Sequence, residues 1–520
     1  MTPHDLGFPP QFDQFRPAQE EAIEYALTTD KRFVGLGAPP GVGKSAIAYA
    51  LAKLLGGRTV ILTATLGLQD QYADQEFPGM VDIRGRSNFA CWEGGTCEDG
   101  GRLGCKDKGG CPYLAKFRAQ QDSDIVCTSY AYWLSVNEKG QGMRAPETLI
   151  CDEAGLAAEW LSRALDFTVS EREIREAGVR LSSAPGEDLD VWVELSSRLA
   201  EAAFARYTSL KSIAPPKFGH ARDRHARDLR RAEWLVERCE RMAKLDSNWV
   251  ITREDGKDEG REWKFECIWP GKYREKLFRF VPRVILMSAT LRPKTLGLLG
   301  IPQKDCDFKE WGRQFPAANG PVIWVPTVRV NSKLAGEGEK RWLDRQVEIT
   351  KLYSDRRGID HTVSYVRAKQ VADYLRREGL KHINVNGAAD PDSQNAREAF
   401  EKHVKGPADS LLISPSFGTG WDFKGRAAEY QIIAKIPTKD MRSKIMQARR
   451  ANDPSYEDYL AAQDLVQSAG RINRDFDDRG TSYLIDDGWT WFKGKAEQHM
   501  PRWFRVRRED QIPTPLPKLN

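Results

Sequence analysis

The chain has 520 residues, enough for roughly three to four domain-sized units. It is 40% hydrophobic and 29% charged, the balance of a water-soluble globular protein, with no apolar run near the roughly 20 residues of a membrane span. Met1–Pro10 lacks a basic segment followed by an apolar stretch, so a cytoplasmic location is expected, and the net charge of +5 permits nucleic-acid binding without requiring it.

In chain order, Arg32–Ala38 reads as a strand, Lys44–Leu55 as a helix stopped by Gly56-Gly57, and Arg58–Thr65 as a second strand. Asp124–Thr128, Thr148–Asp152 and Val284–Ser288 are short apolar runs of the fully buried type. Alternating strands and helices imply a parallel sheet covered on both faces. Leu156 to about Met242 is instead helical and charge-rich. Trp249–Asp255 and Arg261–Trp269 flank Gly256-Lys-Asp-Glu-Gly260 in the manner of a β-hairpin. Gly320–Arg345, rich in Gly, Pro and polar residues, reads as an interdomain linker. Further strands are expected near His361–Val366, Ile383–Val385, Leu411–Ser414, Tyr430–Ile436 and Ser482–Ile485. The expected fold is α/β with two parallel-sheet lobes. There is no internal repeat and no low-complexity tract.

Three motifs carry chemistry. Ala38-Pro-Pro-Gly41-Val42-Gly43-Lys44-Ser45 follows a strand and opens a helix, the context of a phosphate-binding loop. Gly41, Val42 and Gly43 would wrap phosphates with backbone N–H groups, Lys44 would meet the β/γ-phosphates, and Ser45 would ligate Mg²⁺. Ile150-Cys-Asp152-Glu153-Ala-Gly155 ends a buried strand with two carboxylates. Asp152 would hold Mg²⁺ and Glu153 would orient and deprotonate a water. Downstream, Gln467-Ser-Ala-Gly470-Arg471-Ile-Asn-Arg474 offers arginines able to reach a γ-phosphate, or a merely solvated basic helix face.

Four of the nine cysteines, Cys91, Cys97, Cys105 and Cys111, lie between the first two motifs with spacing C-x₅-C-x₇-C-x₅-C. The loop around them is rich in Gly and charge and cannot build an apolar core, so a metal is expected to order it. Four thiolates suit zinc or an iron–sulfur cluster; structural zinc sites favour closer pairs than these. The other five, Cys127, Cys151, Cys239, Cys267 and Cys306, read as free thiols packed as small hydrophobes.

Taken in order, these segments resemble superfamily 2 helicases of the XPD/DinG iron–sulfur type. Phe15-Arg16-Pro17-Ala18-Gln19 resembles the family's nucleotide-recognition motif, and Thr63-Ala64-Thr65 with Leu68, Gln69 and Gln71 its motif Ia. Arg84 to Cys91 resembles the stretch bearing the first cluster ligand and Cys111-Pro112-Tyr113 the last. Ser288-Ala-Thr290-Leu291 is similar to motif III, Ser416 to Gly425 to motif V, and Gln467 to Arg474 to motif VI.

The resemblance implies two RecA-like motor domains with an inserted iron–sulfur domain and a helical arch domain. The expected boundaries are 1–84, 115–155 and 246–315 for the first motor domain, 85–114 for the cluster domain, 156–245 for the arch and 316–520 for the second motor domain. It implies ATP, Mg²⁺ and a [4Fe–4S] cluster on Cys91, Cys97, Cys105 and Cys111. It further implies a monomeric motor moving 5′→3′ on single-stranded DNA or at a forked duplex. Arg16 and Gln19 would contact the base or its surroundings, Gly420 and Asp422 would couple nucleotide to DNA, and Gln467, Arg471 and Arg474 would act on the phosphates. Arg84, Arg86, Arg102, Lys106 and Lys108 would ring the cluster with positive charge, with Phe89, Trp92 and Tyr113 as a stacking face or as packing. The approximately 30 residues before the first strand leave no room for an N-terminal exonuclease.

Two positions depart from the family pattern: Gly155 replaces the histidine of the Asp-Glu-Ala-His box, and Thr419 the glutamate before Gly420. The first keeps open an ATP-dependent DNA-binding or remodelling factor that does not unwind processively. An RNA helicase is a further alternative. Lys217–Lys244 reads as an arch helix facing DNA or as a salt-bridged solvated helix. The C-terminal Arg502, Arg505, Arg507 and Arg508 guide DNA or cap the second lobe, and Trp421 and Trp489 to Trp491 read as packing residues.

Overall fold

The computed structural model describes residues 2–518 except 93–94, 99–104, 106–109, 139–141, 182–184, 214–219, 256–259, 387–395, 416–422, 424 and 473–476. Its frame is two seven-stranded parallel sheets and one three-stranded antiparallel sheet. Across the first sheet the strands run Cys306–Glu310, Phe33–Gly37, Arg283–Ser288, Thr148–Asp152, Thr59–Thr63, Ile125–Ser129 and Met80–Asp82. Side chains alternate between its faces, as strand geometry requires. Val60 and Leu62, Leu149 and Cys151, and Val284 and Leu286 enter one core. Ile61, Ile150, Ile285 and Met287 enter the other, against Ala46–Ala52 of the helix Lys44–Leu55.

The second sheet runs Ile383–Val385, Leu411–Ser414, Gly358–His361, Tyr430–Ile433, Thr481–Asp486, Val322–Val328 and Val506–Arg508. The expected linker over Gly320–Arg345 is not one. Val322–Val328 is an interior strand paired on both sides, and Gly336–Leu352 is a helix with Trp342 buried. Pro326 disguised the strand: its missing N–H coincides with the register shift between Trp324 and Val328. The strand expected at His361–Val366 ends at His361. Val363 then takes a left-handed φ of 67°, and Ser364 caps the next helix by accepting the N–H of Arg367.

The strands Trp249–Asp255 and Arg261–Cys267 form the expected hairpin, whose turn residues 256–259 lie outside the described residues. The hairpin joins neither large sheet; its third strand is Phe167–Ser170. Phe167 stacks on Phe265 at 4.6 Å, and Trp192 meets Trp263 and Phe265 edge-on at 5.1 Å each. This core supports the long helices Leu189–Ser212 and His220–Met242. Several described cations of the second helix are spoken for within this unit: Arg238 pairs with Glu173 at 2.7 Å and Arg231 with Glu176 at 3.8 Å. Among the described residues, no helix is long and apolar enough to cross a membrane.

Beneath the second sheet lies a buried neutral histidine. His403 Nε2 sits 2.9 Å from the carbonyl of Ala427, which can only accept, so Nε2 carries the proton and Nδ1 accepts from the Ser410 hydroxyl at 3.0 Å. Burial lowers this ring to about 4, and His361, buried against Gln431, likewise to about 4. Both lie below the free value of 6.5, so the unfolded chain takes up protons first as pH falls. Their contribution is complete above pH 6.5 and is lost between there and about 4, by about 1.4 kcal/mol per pH unit for each ring. Thermal melts of the wild type should therefore drop more steeply from pH 6.5 to 5 than those of His403→Gln; parallel slopes would refute the assignment.

Candidate functional site

The site forms where three neighbouring strands of the first sheet end. Phe33–Gly37 leads into the phosphate loop, Thr148–Asp152 into Glu153, and Arg283–Ser288 ends on a serine. Ligands favour this edge of an open parallel sheet. Gly41 and Gly43 take left-handed φ values of 75° and 84°, which a side chain would strain, and Gly43 caps the helix that Lys44 opens. Gln11, Phe12, Asp13, Arg16, Lys44, Ser45, Tyr72, Asp152 and Glu153 are among the residues enclosing a cavity of 540 Å³ over the loop.

Arg16 and Gln19 line that cavity, but their described contacts are with the loop itself. Arg16 Nη1 donates to the Gly41 carbonyl at 2.6 Å, and Gln19 Nε2 to that of Val42 at 2.9 Å. Gln19 Oε1 accepts the backbone N–H of Arg16 at 2.8 Å. The pair braces the loop against the first helix, Pro17–Thr28.

Asp152 is buried. Its Oδ1 accepts the N–H of Glu153 at 2.8 Å and its Oδ2 the Tyr72 hydroxyl at 3.0 Å, while Tyr130 donates to its carbonyl at 3.1 Å. Burial pushes Asp152 up to about 6, with Lys44 opposing and Glu153 adding to the rise. Glu153 holds a left-handed backbone, φ 49° and ψ 45°, which aims its carboxylate back over the loop. Its Oε1 lies 3.3 Å from Lys44 Nζ; its Oε2 accepts Ser288 Oγ at 2.9 Å and Gln467 Nε2 at 3.1 Å. Burial pushes Glu153 up, but Lys44, the Ser288 hydroxyl and Arg471 outweigh it and leave the carboxyl below its ordinary value. The two adjacent carboxyls are thus driven apart, as an acid–base site requires.

Gln467 comes from the second lobe, on the helix Tyr456–Ala469, and its other amide hydrogen meets Thr290 Oγ1 at 3.3 Å. Arg471, buried in the same cleft, lines it with Lys44, Glu153 and Gln467. The lobes are further joined by Lys294–Asp453 at 2.7 Å, by Thr295 with Tyr459 at 2.8 Å, and by Arg449 donating to the Ile268 and Cys267 carbonyls. Arg474, Gly420 and Asp422 lie outside the described residues.

In the cysteine segment, the Cys97 thiol is pushed up to about 11 by burial first and then by Cys111, with Cys91 adding to the rise. A short bridge pairs Ala90 with Thr96, and Cys97 N–H donates to the Phe89 carbonyl at 2.7 Å. Among the described residues, no three or more His, Cys, Asp or Glu side chains form a group that could hold a metal ion. Tyr113 and Phe89 pack edge to face at 5.6 Å, and Tyr113 is buried, whereas Trp92 is exposed. Arg84 is held by Asp70 and Asp82, and Arg86 lies over Tyr113; Arg102, Lys106 and Lys108 lie outside the described residues.

Residues 353–507 match the family model described as Helicase C-terminal domain. No curated protein matches the chain. Among solved structures, an XPD helicase superposes with a TM-score of 0.59 at 14% identity, covering 95% of this chain and 100% of that one. Xpd4 of S. tokodaii gives 0.57 at 14% identity, with the same coverages. The chain therefore has the fold of these XPD helicase structures. Its second lobe carries a helicase C-terminal domain.

The motifs did not point to Tyr72, which is fully buried against Asp152, nor to Gln463, four residues before Gln467. The one signal that could have found the latter is its helical spacing of four from Gln467. Replacing Tyr72 by Phe removes the phenol that orients Asp152, so the Mg²⁺ concentration for half-maximal ATP turnover should rise about 10-fold. An unchanged Mg²⁺ titration would show that the phenol is only packing.

Proposed function

We propose that this chain is an ATP-hydrolysing motor that moves 5′→3′ along single-stranded DNA and opens forked duplexes. The observation that carries the motor reading is the reach of Gln467 from the second lobe to Glu153 in the first. A triphosphate seated on Gly41–Ser45 competes for Lys44, the cation that Glu153 now holds, and so frees Glu153 Oε1 for a water. Gln467 and Ser288 keep the other oxygen in place. Ser45 and Asp152, both of which line the cavity, would hold Mg²⁺, which would supply charge to the phosphates. Arg471 is placed to neutralise charge developing on the γ-phosphate, with Arg474 as its companion on the sequence pattern. Hydrolysis is then linked to the seating of the second lobe, which is the requirement for turning ATP into movement.

A cleft on the second lobe supports the DNA reading. It encloses 900 Å³ and is lined by residues just past the ends of four adjacent strands: Arg329 to Ser332, Thr362 to Ser364, Lys435 to Thr438, and Gly488. Arg329, Lys435, Arg442 and Lys495 line it, with Asp440, Asp458 and Asp486 as the opposing charges. Trp491, read from the sequence as packing, is 71% exposed at its rim, while Trp489 is buried. Cations beside an exposed ring suit a single strand. The direction of travel rests on the family resemblance.

A [4Fe–4S] cluster is assigned to this segment on the family resemblance, since among the described residues the four thiols are not gathered into a metal-binding group. Cys91, Cys97, Cys105 and Cys111 would hold it, and the cluster would supply rigidity to a loop with little apolar content. We assign 85–114 to this domain, and extend the arch from 156 to about 267 because the hairpin packs with it.

The test is strand displacement from a duplex with a 5′ overhang, against one with a 3′ overhang, by anaerobically purified protein carrying about four irons per chain. Unwinding confined to the 5′ overhang is expected. DNA-stimulated hydrolysis without displacement would favour the remodelling reading, and stimulation by RNA alone an RNA helicase. Lys44→Ala should lose turnover by at least about 100-fold while keeping single-strand affinity, measured by phosphate release and fluorescence anisotropy.

A further inference from the structure

The fourth position of the box is Gly155, and the structure shows what surrounds it. A Cβ on Gly155 would lie 2.8 Å from Thr290 Oγ1, 3.3 Å from Ser288 Oγ and 3.6 Å from Gln463 Oε1. The first distance is shorter than carbon and oxygen tolerate without movement. Thr290 has little freedom to give way. It is 2% exposed, its branched side chain is stiff at χ1, and its Oγ1 accepts from Gln467. The proton of the Ser288 hydroxyl goes to Glu153. The Thr290 proton therefore has only Ser288 Oγ at a long 3.3 Å.

Gln463 enters the same notch from the second lobe. It lies one helical turn before Gln467, so both amides project from one face of the helix Tyr456–Ala469. The residue is 7% exposed and its Oε1 has no hydrogen-bond partner among the described residues. Its Nε2 makes only a 3.5 Å contact to the His499 carbonyl. A buried carbonyl left unpaired is costly, and this one borders the same space at Gly155 as a hydroxyl whose proton is poorly used.

We infer that Gly155 is a notch required by a cross-lobe contact, and that Gln463 is a positioning residue for hydrolysis. When the second lobe seats on bound nucleotide, the Thr290 hydroxyl donates to Gln463 Oε1 while still accepting from Gln467. Glu153 is then fixed by two glutamines of one helix, Gln467 directly and Gln463 through Thr290 and Gln467, with no side chain from the fourth box position. The inference rests on Glu153 being the general base.

Steady-state ATP hydrolysis with a saturating single-stranded oligonucleotide tests it. Gly155→Ala should lose about 10-fold or more in kcat with KM for ATP within about twofold, the pattern of a misplaced base. Thr290→Ser keeps the hydroxyl and frees χ1, so it should stay within about threefold of wild type. The double variant Gly155→Ala/Thr290→Ser should recover most of the lost kcat, a non-additive result. Gln463→Leu is close in volume and removes the unpaired carbonyl. It should lower kcat about 5-fold or more while the melting temperature is unchanged or higher, which separates positioning from folding. Full kcat in Gly155→Ala or in Gln463→Leu, or a double variant no better than the single, would overturn the inference. Glu153→Gln in the same assay keeps the two readings apart. If it still turns over, the hydrolytic reading fails and this one with it; if it is inactive while Gly155→Ala is not impaired, this one fails alone.

Discussion

One carboxylate ties the molecule together. Glu153 is half-buried, in a left-handed backbone conformation that costs a non-glycine residue about 1–3 kcal/mol. It is held there by Lys44 and Ser288 from one lobe and Gln467 from the other. Its position depends on strand order: the loop strand, the motif III strand and the box strand are consecutive neighbours, so three side chains far apart in sequence converge at one sheet edge. The second lobe contributes through a single helix, which must be seated for the Gln467 contact to exist. Anything that moves that helix changes the surroundings of Glu153.

The electrostatics follow from this arrangement. Two adjacent carboxyls in a buried site cannot both be ionised cheaply. The structure divides the burden by geometry: cations and hydroxyls converge on Glu153, whereas Asp152 faces a phenol and a backbone N–H. Asp152 thus carries the raised affinity for a proton, which Mg²⁺ would displace, and Glu153 stays ionised without it.

The first sheet and the phosphate loop were legible because their signals are local: apolar runs of strand length, a glycine pattern, and a helix stopped by Gly56-Gly57. Where the sequence misled, the determinant was distant or masked. Val322–Val328 opens with an apolar run of strand type, yet Pro326 and its Gly-rich surroundings hid it. Cys306–Glu310 and Val506–Arg508 are edge strands with little apolar content, placed by pairing alone. The hairpin was visible as a hairpin, but its partner, Phe167–Ser170, lies some 80 residues earlier, and periodicity says nothing of such pairings. The same limit hid Tyr72 and Gln463, whose roles come from what the fold sets opposite them.

The cysteine segment shows a different balance. Its described apolar contacts are few: Phe89 and Phe117 lean on Tyr113, and Tyr113 reaches the lobe through Tyr132 at 3.1 Å. That aromatic anchor fixes the two ends of the segment, because Phe89 sits two residues before Cys91 and Tyr113 two after Cys111. The glycine-rich stretch between has no comparable anchor in its composition, and closing a loop of that length costs entropy that scattered polar contacts do not offset. The anchor sets Cys97, the second of the four cysteines, beside Cys111, the last.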